Sequence, residues 1–144
     1  MTGSLVLLAD LIRRLRMPVR VSLIQASSYR GNTEPGALWI RDDMMLDISD
    51  RDVLVLDDIF DTGKTLQAVL DCLREMQPSS VASAVLLLKE GRQVVAMQPD
   101  FVAFRIPDEF VVGYGLDYQD LYRNLPYLAV LEESEISAEA LWRF

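Results

Sequence analysis

The chain has 144 residues, 51% of them apolar, which suits one domain, residues 1–144, around a substantial core. Its 22 acidic against 14 basic residues give a formal charge of −8, which disfavours a nucleic-acid partner. The absence of histidine excludes histidine bases and ligands, the single Cys72 excludes an internal disulfide and suits a reducing, cytoplasmic setting, and no apolar run reaches membrane-span length.

In chain order, Thr2-Gly3-Ser4 opens either as a plain stub or as a small anion-binding turn, with the stub favoured on so short a signal. Leu5, Leu8, Leu11, Ile12 and Leu15 then share one helical face, with Ser4 placed to cap the start and Arg13, Arg14 and Arg16 near the end. Residues Val19 to Gln25 alternate early and predict a strand. Ser28 to Gly36 is dense in turn formers and reads as a surface loop or a lid, and Ala37 to Arg41 as a short strand carrying Trp39. Asp42 to Arg51 is polar and turn-rich.

The central stretch runs Val53-Leu54-Val55-Leu56-Asp57-Asp58-Ile59-Phe60-Asp61-Thr62-Gly63-Lys64-Thr65-Leu66. It reads as a buried strand that delivers carboxylates to a sheet edge, then a turn that opens a helix. A helix N-terminus has unpaired N–H groups and a positive dipole end, so it seats phosphate. Gly63 allows close backbone approach, and Thr62 and Thr65 add hydroxyls. Carboxylates beside a phosphate seat make sense if sugar hydroxyls or a hard cation such as Mg²⁺ lie between them. Gly63-Lys64-Thr65 is not a nucleotide-triphosphate P-loop, because Asp58 stands where that loop needs a glycine.

Leu66, Val69, Leu70, Leu73 and Met76 mark the buried face of the following helix, which ends before Pro78 and carries Cys72 as a core or near-core residue. Val81 to Leu88 reads as a buried parallel strand, with Lys89 at the end where α/β sheets place ligand groups. Short strands are expected at Asp100–Phe104, from Phe110 and at Tyr127–Leu131. The aromatic, charged segment Tyr114 to Asn124 lies between the last two, and a terminal helical turn is expected at Ser137–Phe144.

The central stretch resembles the phosphoribosyl-pyrophosphate (PRPP) motif of the type I phosphoribosyltransferases. Phe110-Val111-Val112-Gly113-Tyr114-Gly115-Leu116-Asp117-Tyr118 and Tyr122-Arg123-Asn124-Leu125-Pro126-Tyr127 are similar to the C-terminal signature of hypoxanthine(-guanine) phosphoribosyltransferases. Leu7 to Arg14, Ser27-Ser28-Tyr29 and Pro99-Asp100-Phe101-Val102 match the same family. The resemblance implies a Rossmann-like α/β fold, a mostly parallel sheet with helices on both faces plus a small lobe. It also implies transfer of a phosphoribosyl group from PRPP to a 6-oxopurine.

The roles implied by the resemblance are as follows. Asp57, Asp58, Ile59, Phe60, Asp61, Thr62, Gly63, Lys64 and Thr65 form the PRPP site, with Asp61 as the acid/base at the purine N7. Asp57 and Asp58 hold the ribose hydroxyls, directly or through Mg²⁺. Lys89, Phe110, Val111 and Asp117 surround the base, Asp117 also holding a second metal; Thr2, Gly3 and Arg123 meet pyrophosphate; Ser28 and Tyr29 begin a lid. A homo-oligomer, dimer or tetramer, is expected. The family pattern has a strand ahead of the pyrophosphate turn, whereas Met1 stands inside that turn and Thr2 occupies a position where many relatives carry lysine. The expectation is therefore a fold truncated at its N-terminus. The rival reading is a catalytically weak PRPP- or nucleotide-binding regulator on the same fold.

Overall fold

The computed structural model describes residues 2–24, 26–28, 38–40 and 46–132, the two three-residue segments as backbone. The expected turn at Ser137–Phe144 and the lid residue Tyr29 lie outside the described residues. The core is a three-stranded parallel sheet, ordered β3 (Asp52–Phe60), β4 (Ser80–Lys89), β5 (Phe101–Ile106). Helix α2 (Lys64–Glu75) links β3 to β4 and buries Leu66, Val69, Leu70 and Leu73, the face its periodicity predicts. Those residues pack on Val55, Phe60, Val85 and Leu88. Leu86 and Leu87 of β4 join a second cluster with Leu116 and, from α1 (Leu5–Ile12), Leu7. Being covered by both clusters is why β4 is a continuous apolar run rather than an alternating one.

Register matters more for function than layer count. Phe60 aligns with Leu88, so Asp61 and Lys89 leave the sheet side by side at its C-terminal edge. Neighbouring strands are about 4.8 Å apart. Asp100 anchors β5 beside β4: its carboxylate accepts the Ser83 N–H at 2.7 Å and the Ser83 hydroxyl at 2.9 Å. Those donors hold the Asp100 carboxyl below the usual carboxylate range.

Several boundaries differ from the sequence reading. Helix α1 stops at Ile12, three residues short of Leu15, and Ser4 makes no side-chain cap; Arg13 instead turns back to the Ala9 carbonyl and the Asp10 carboxylate. Residues 19–24 form no strand. A cleft of about 700 Å³, lined by Leu8, Leu11, Val21 and Leu54 among others, separates them from β3, whose edge there is unpaired among the described residues. Alternation reports which side chains share a face; a strand also needs a backbone ladder, and residues 19–24 are placed in none. Instead Ala26–Ser28 (β1) pairs antiparallel with Leu38–Ile40 (β2), which places the lid residue Ser28 in a hairpin. Val111–Val112 (β6) and Ala129–Val130 (β7) form the two-stranded small lobe.

Candidate functional site

At the C-terminal edge of the sheet, Asp58, Ile59, Asp61, Lys89, Phe110, Val111, Leu116 and Asp117 line a cavity of about 230 Å³. Three elements converge there. The end of β3 and its turn bring the first three residues, β4 brings Lys89, and β6 with its loop brings the rest. Of the residues named from sequence, this assembles both Asp61 and the four assigned to the base.

The phosphate turn follows. Gly63 takes φ +83°, a left-handed conformation that L side chains rarely adopt, and caps α2. Phe60 and Val95 pack so closely over it that an added Cβ would come within 2.6 Å of each side chain. Its carbonyl accepts the Gln67 N–H at 3.0 Å, so the first turn of α2 begins at the glycine. N–H groups of that turn lie where the helix itself cannot satisfy them, which makes an anion seat. Lys64 and Thr65 lie exposed at that seat.

The two carboxylates of β3 have different fates, because successive side chains of a strand point to opposite faces. Asp58 enters the cavity, while Asp57 is 5% exposed and does not line it. Burial, reinforced by the Asp58 carboxylate, pushes the Asp57 carboxyl up to about 8. Asp57 accepts the Asp58 N–H at 3.0 Å. The structure thus separates the pair by position: Asp58 lines the cavity, and Asp57 lies buried behind it. Asp58 keeps the exposure and hard oxygens that Mg²⁺ takes. No group of three or more acidic, histidine or cysteine side chains forms a ready ligand set among the described residues. A cation here would draw most of its ligands from substrate oxygens and water, as Mg²⁺ commonly does.

The N-terminal turn meets this site at close quarters. A Cβ on Gly3 would fall 1.5 Å from the Asp58 Oδ2, and one on Gly115 would fall 2.0 Å from the Gly3 carbonyl oxygen. Gly3 is thus pressed between Asp58 and the loop after β6, so the favoured reading of residues 2–4 as a stub is replaced by a packed turn. Tyr114 reinforces the contact: its hydroxyl donates to Asp10 of α1 at 2.6 Å. That bond, with Arg13 beside it, holds the Asp10 carboxyl below its ordinary value.

Arg123 is engaged within its own loop. It bonds the Gly115 carbonyl at 3.0 Å and pairs with Asp117 at 2.9 Å and Asp120 at 3.2 Å. It lies beside the cavity, bonded to its lining residue Asp117. Phe110 meets Tyr118 edge-on, with ring centroids 5.5 Å apart, which fixes its ring plane.

Several side chains at the site carry no sequence signal. Arg92 pairs with Asp61 at 3.0 Å and with Asp108 at 3.4 Å, and Lys89 lies 3.5 Å from Asp108. The Gln93 amide donates to the backbone carbonyls of both Asp61, at 3.2 Å, and Lys89. The stretch after Lys89 lacks periodicity, and only the Glu90-Gly91 turn hints that the chain folds back. Asp10, one carboxylate in an apolar helix, was the available hint for Tyr114.

Known proteins with this arrangement are readily found. The phosphoribosyl transferase domain family matches residues 1–119. A hypoxanthine-guanine phosphoribosyltransferase of Streptococcus pneumoniae is 43% identical over 136 residues, covering 94% of this chain and 76% of that protein. Among solved structures, a hypoxanthine-guanine phosphoribosyltransferase from Bacillus anthracis gives a TM-score of 0.84 at 39% identity, over 92% of this chain and 78% of the other. A hypoxanthine phosphoribosyltransferase from Trypanosoma cruzi, solved with the product IMP, gives 0.85 at 37% identity, over 93% and 72%. With the PRPP motif, the parallel sheet and the C-terminal signature all accounted for by these likenesses, the chain belongs to the hypoxanthine-guanine phosphoribosyltransferases and has their type I phosphoribosyltransferase fold.

Proposed function

We propose that this protein is a purine-salvage enzyme that joins hypoxanthine or guanine to PRPP, giving IMP or GMP and pyrophosphate. The observation that carries the reading is the convergence of Asp58, Asp61, Lys89, Phe110 and Asp117 on one cavity beside a glycine-opened helix. The 5′-phosphate sits on the turn from Asp61 to Thr65, held by backbone N–H groups and the hydroxyls of Thr62 and Thr65. Phe110 stacks on the base, Val111 contributes backbone contacts, and Lys89 donates to the 6-oxo group. The C1′–O bond to pyrophosphate breaks as the C1′–N9 bond forms, and the purine N7 proton passes to the Asp61 carboxylate.

C1′ is cationic as pyrophosphate leaves, and the electrons of the broken bond go to the departing oxygens. N–H groups of the turn at Thr2 and Gly3 meet that charge, with Asp58 close by on the ribose side. Asp58, and on the pyrophosphate side Asp117, would hold Mg²⁺, which would supply charge neutralisation of those oxygens. Asp57 acts from below, by orienting Asp58. Ser28 and Tyr29 begin the segment that excludes water from C1′.

Residues 1–144 act as one domain, in the cytoplasm and as a homo-oligomer, without nucleic acid or membrane. No helix among the described residues is long and apolar enough to cross a membrane. The test is a steady-state panel of hypoxanthine, guanine, xanthine and adenine with PRPP, with Mg²⁺ present or chelated. Turnover of a 6-oxopurine that stops on chelation is expected. Efficient turnover of adenine, or PRPP binding without turnover of any base, would overturn the reading, and the latter would favour the regulator.

A further inference from the structure

We propose that residues 92–95 form a positioning strap that sets the phosphate turn against Lys89, with Gln93 as its central donor. The inference rests on the transferase reading above and adds residues to it. Each residue of the strap reaches a different part of the turn. Arg92 pairs with the Asp61 carboxylate. The Val94 N–H donates to the Thr62 carbonyl at 3.1 Å. The Val95 side chain packs over Gly63 and onto the core beneath it.

Gln93 alone spans the two strands. Its amide has two N–H bonds, and one group here bonds the backbone carbonyls of Asp61 and Lys89, the residues that leave β3 and β4 at matching register. Those carbonyls lie one residue past the last pair of the β3–β4 ladder, Phe60 with Leu88, so Gln93 continues the tie between the strands where the ladder stops. The reaction needs the separation of Asp61 and Lys89 held. Asp61 faces the purine N7 and Lys89 its 6-oxo group, so their spacing determines where the base sits relative to C1′. A displacement of about 1 Å at a reacting centre can cost on the order of a hundredfold in rate. Arg92 adds an ionic link from Asp61 through Asp108 to Lys89 along the same line. Arg92, Gln93 and Val94 are positioning residues, acting through Asp61, Thr62 and Lys89.

The test compares Gln93→Met, which keeps volume and loses both donors, with Gln93→Lys, which keeps a donor at similar reach. kcat, KM for PRPP and KM for hypoxanthine are measured, with a thermal melt of each. A positioning role predicts that Gln93→Met lowers kcat about 10- to 100-fold while KM for PRPP stays within about threefold, since the N–H groups of the phosphate seat remain. It also predicts that Gln93→Lys retains more activity than Gln93→Met. A packing role predicts the reverse order, because methionine fills the site better. Arg92 is exposed, so Arg92→Met probes the second arm without touching the core, and a smaller loss of kcat is expected there.

Wild-type kcat in both Gln93→Met and Arg92→Met, or a higher kcat in Gln93→Met than in Gln93→Lys, would overturn the strap. Failure of the transferase reading looks different, because the wild-type protein itself would then turn over no purine.

Discussion

Adding one methyl group at Gly115 tests whether the N-terminal turn is part of the reacting site. The Gly115 backbone has φ +102°, and a Cβ there would lie 2.0 Å from the Gly3 carbonyl oxygen and 3.0 Å from its carbon. The obstacle is backbone, so no side-chain rotation relieves it. To restore contact, the Gly3 carbonyl must retreat by at least about 1 Å, and Gly3 is already backed by the Asp58 carboxylate. The turn we assign to pyrophosphate is therefore displaced. A shift of that size costs on the order of a hundredfold in rate.

The same substitution forces a non-glycine residue into a left-handed conformation, at a cost of about 1–3 kcal/mol, so the melting temperature falls as well. The assay is kcat/KM for PRPP, alongside KM for hypoxanthine, in Gly115→Ala. The PRPP parameter should fall about a hundredfold, while binding of the base changes less, because Lys89 lies on β4, away from the Gly115 loop. A variant within twofold of wild type in kcat/KM for PRPP would refute the packed turn and its pyrophosphate role.

Two further outcomes follow from the carboxylates and the lysine. Burial, with the Asp58 carboxylate beside it, pushes the Asp57 carboxyl up from 3.8 to about 8, so the folded state holds an extra proton between those values. Its contribution to stability is full below about pH 4 and lost as pH rises towards 8; Asp57→Asn should flatten that part of the melting-temperature profile and melt higher than wild type at pH 8. Parallel profiles for the two proteins would contradict this. Lys89→Met removes a charged donor, worth about 1.5–3 kcal/mol, so kcat/KM for hypoxanthine should fall about 10- to 150-fold, and an unchanged value would remove Lys89 from base recognition.

The parts of the fold legible in the sequence were those whose signal is local. β4 announces itself as a run of apolar residues, and α2 by Leu66, Val69, Leu70 and Leu73 at helical spacing. Together they imply the parallel unit whose register brings Asp61 and Lys89 together. What failed was what depends on the tertiary arrangement. Residues 19–24 alternate like a strand, yet lie across a cleft from β3.

Asp57 and Asp58 are alike as residues, and only the pleat of β3 decides which is buried. The Tyr114–Asp10 bond joins positions 104 residues apart, and Gln93 reaches Asp61 across 32; neither distance leaves a periodic trace. Arg123 carried a motif match but no indication that its guanidinium would be occupied by Asp117, Asp120 and Gly115. Motif matching locates chemistry along the chain, while positioning contacts are tertiary and appear only once the chain is folded.

The central claim is that Asp61 handles the purine proton in a phosphoribosyl transfer carried out in this cavity. The most direct measurement incubates wild type and Asp61→Asn with hypoxanthine, PRPP and Mg²⁺, quantifies IMP and pyrophosphate together, and measures IMP binding to each protein. Wild type should form the two products in equal amounts. Asp61→Asn should be slower by about 10²- to 10⁴-fold with IMP binding largely kept, since a general acid–base group is lost and the phosphate seat is not. Unequal products from wild type, or wild-type turnover in Asp61→Asn, would contradict the account.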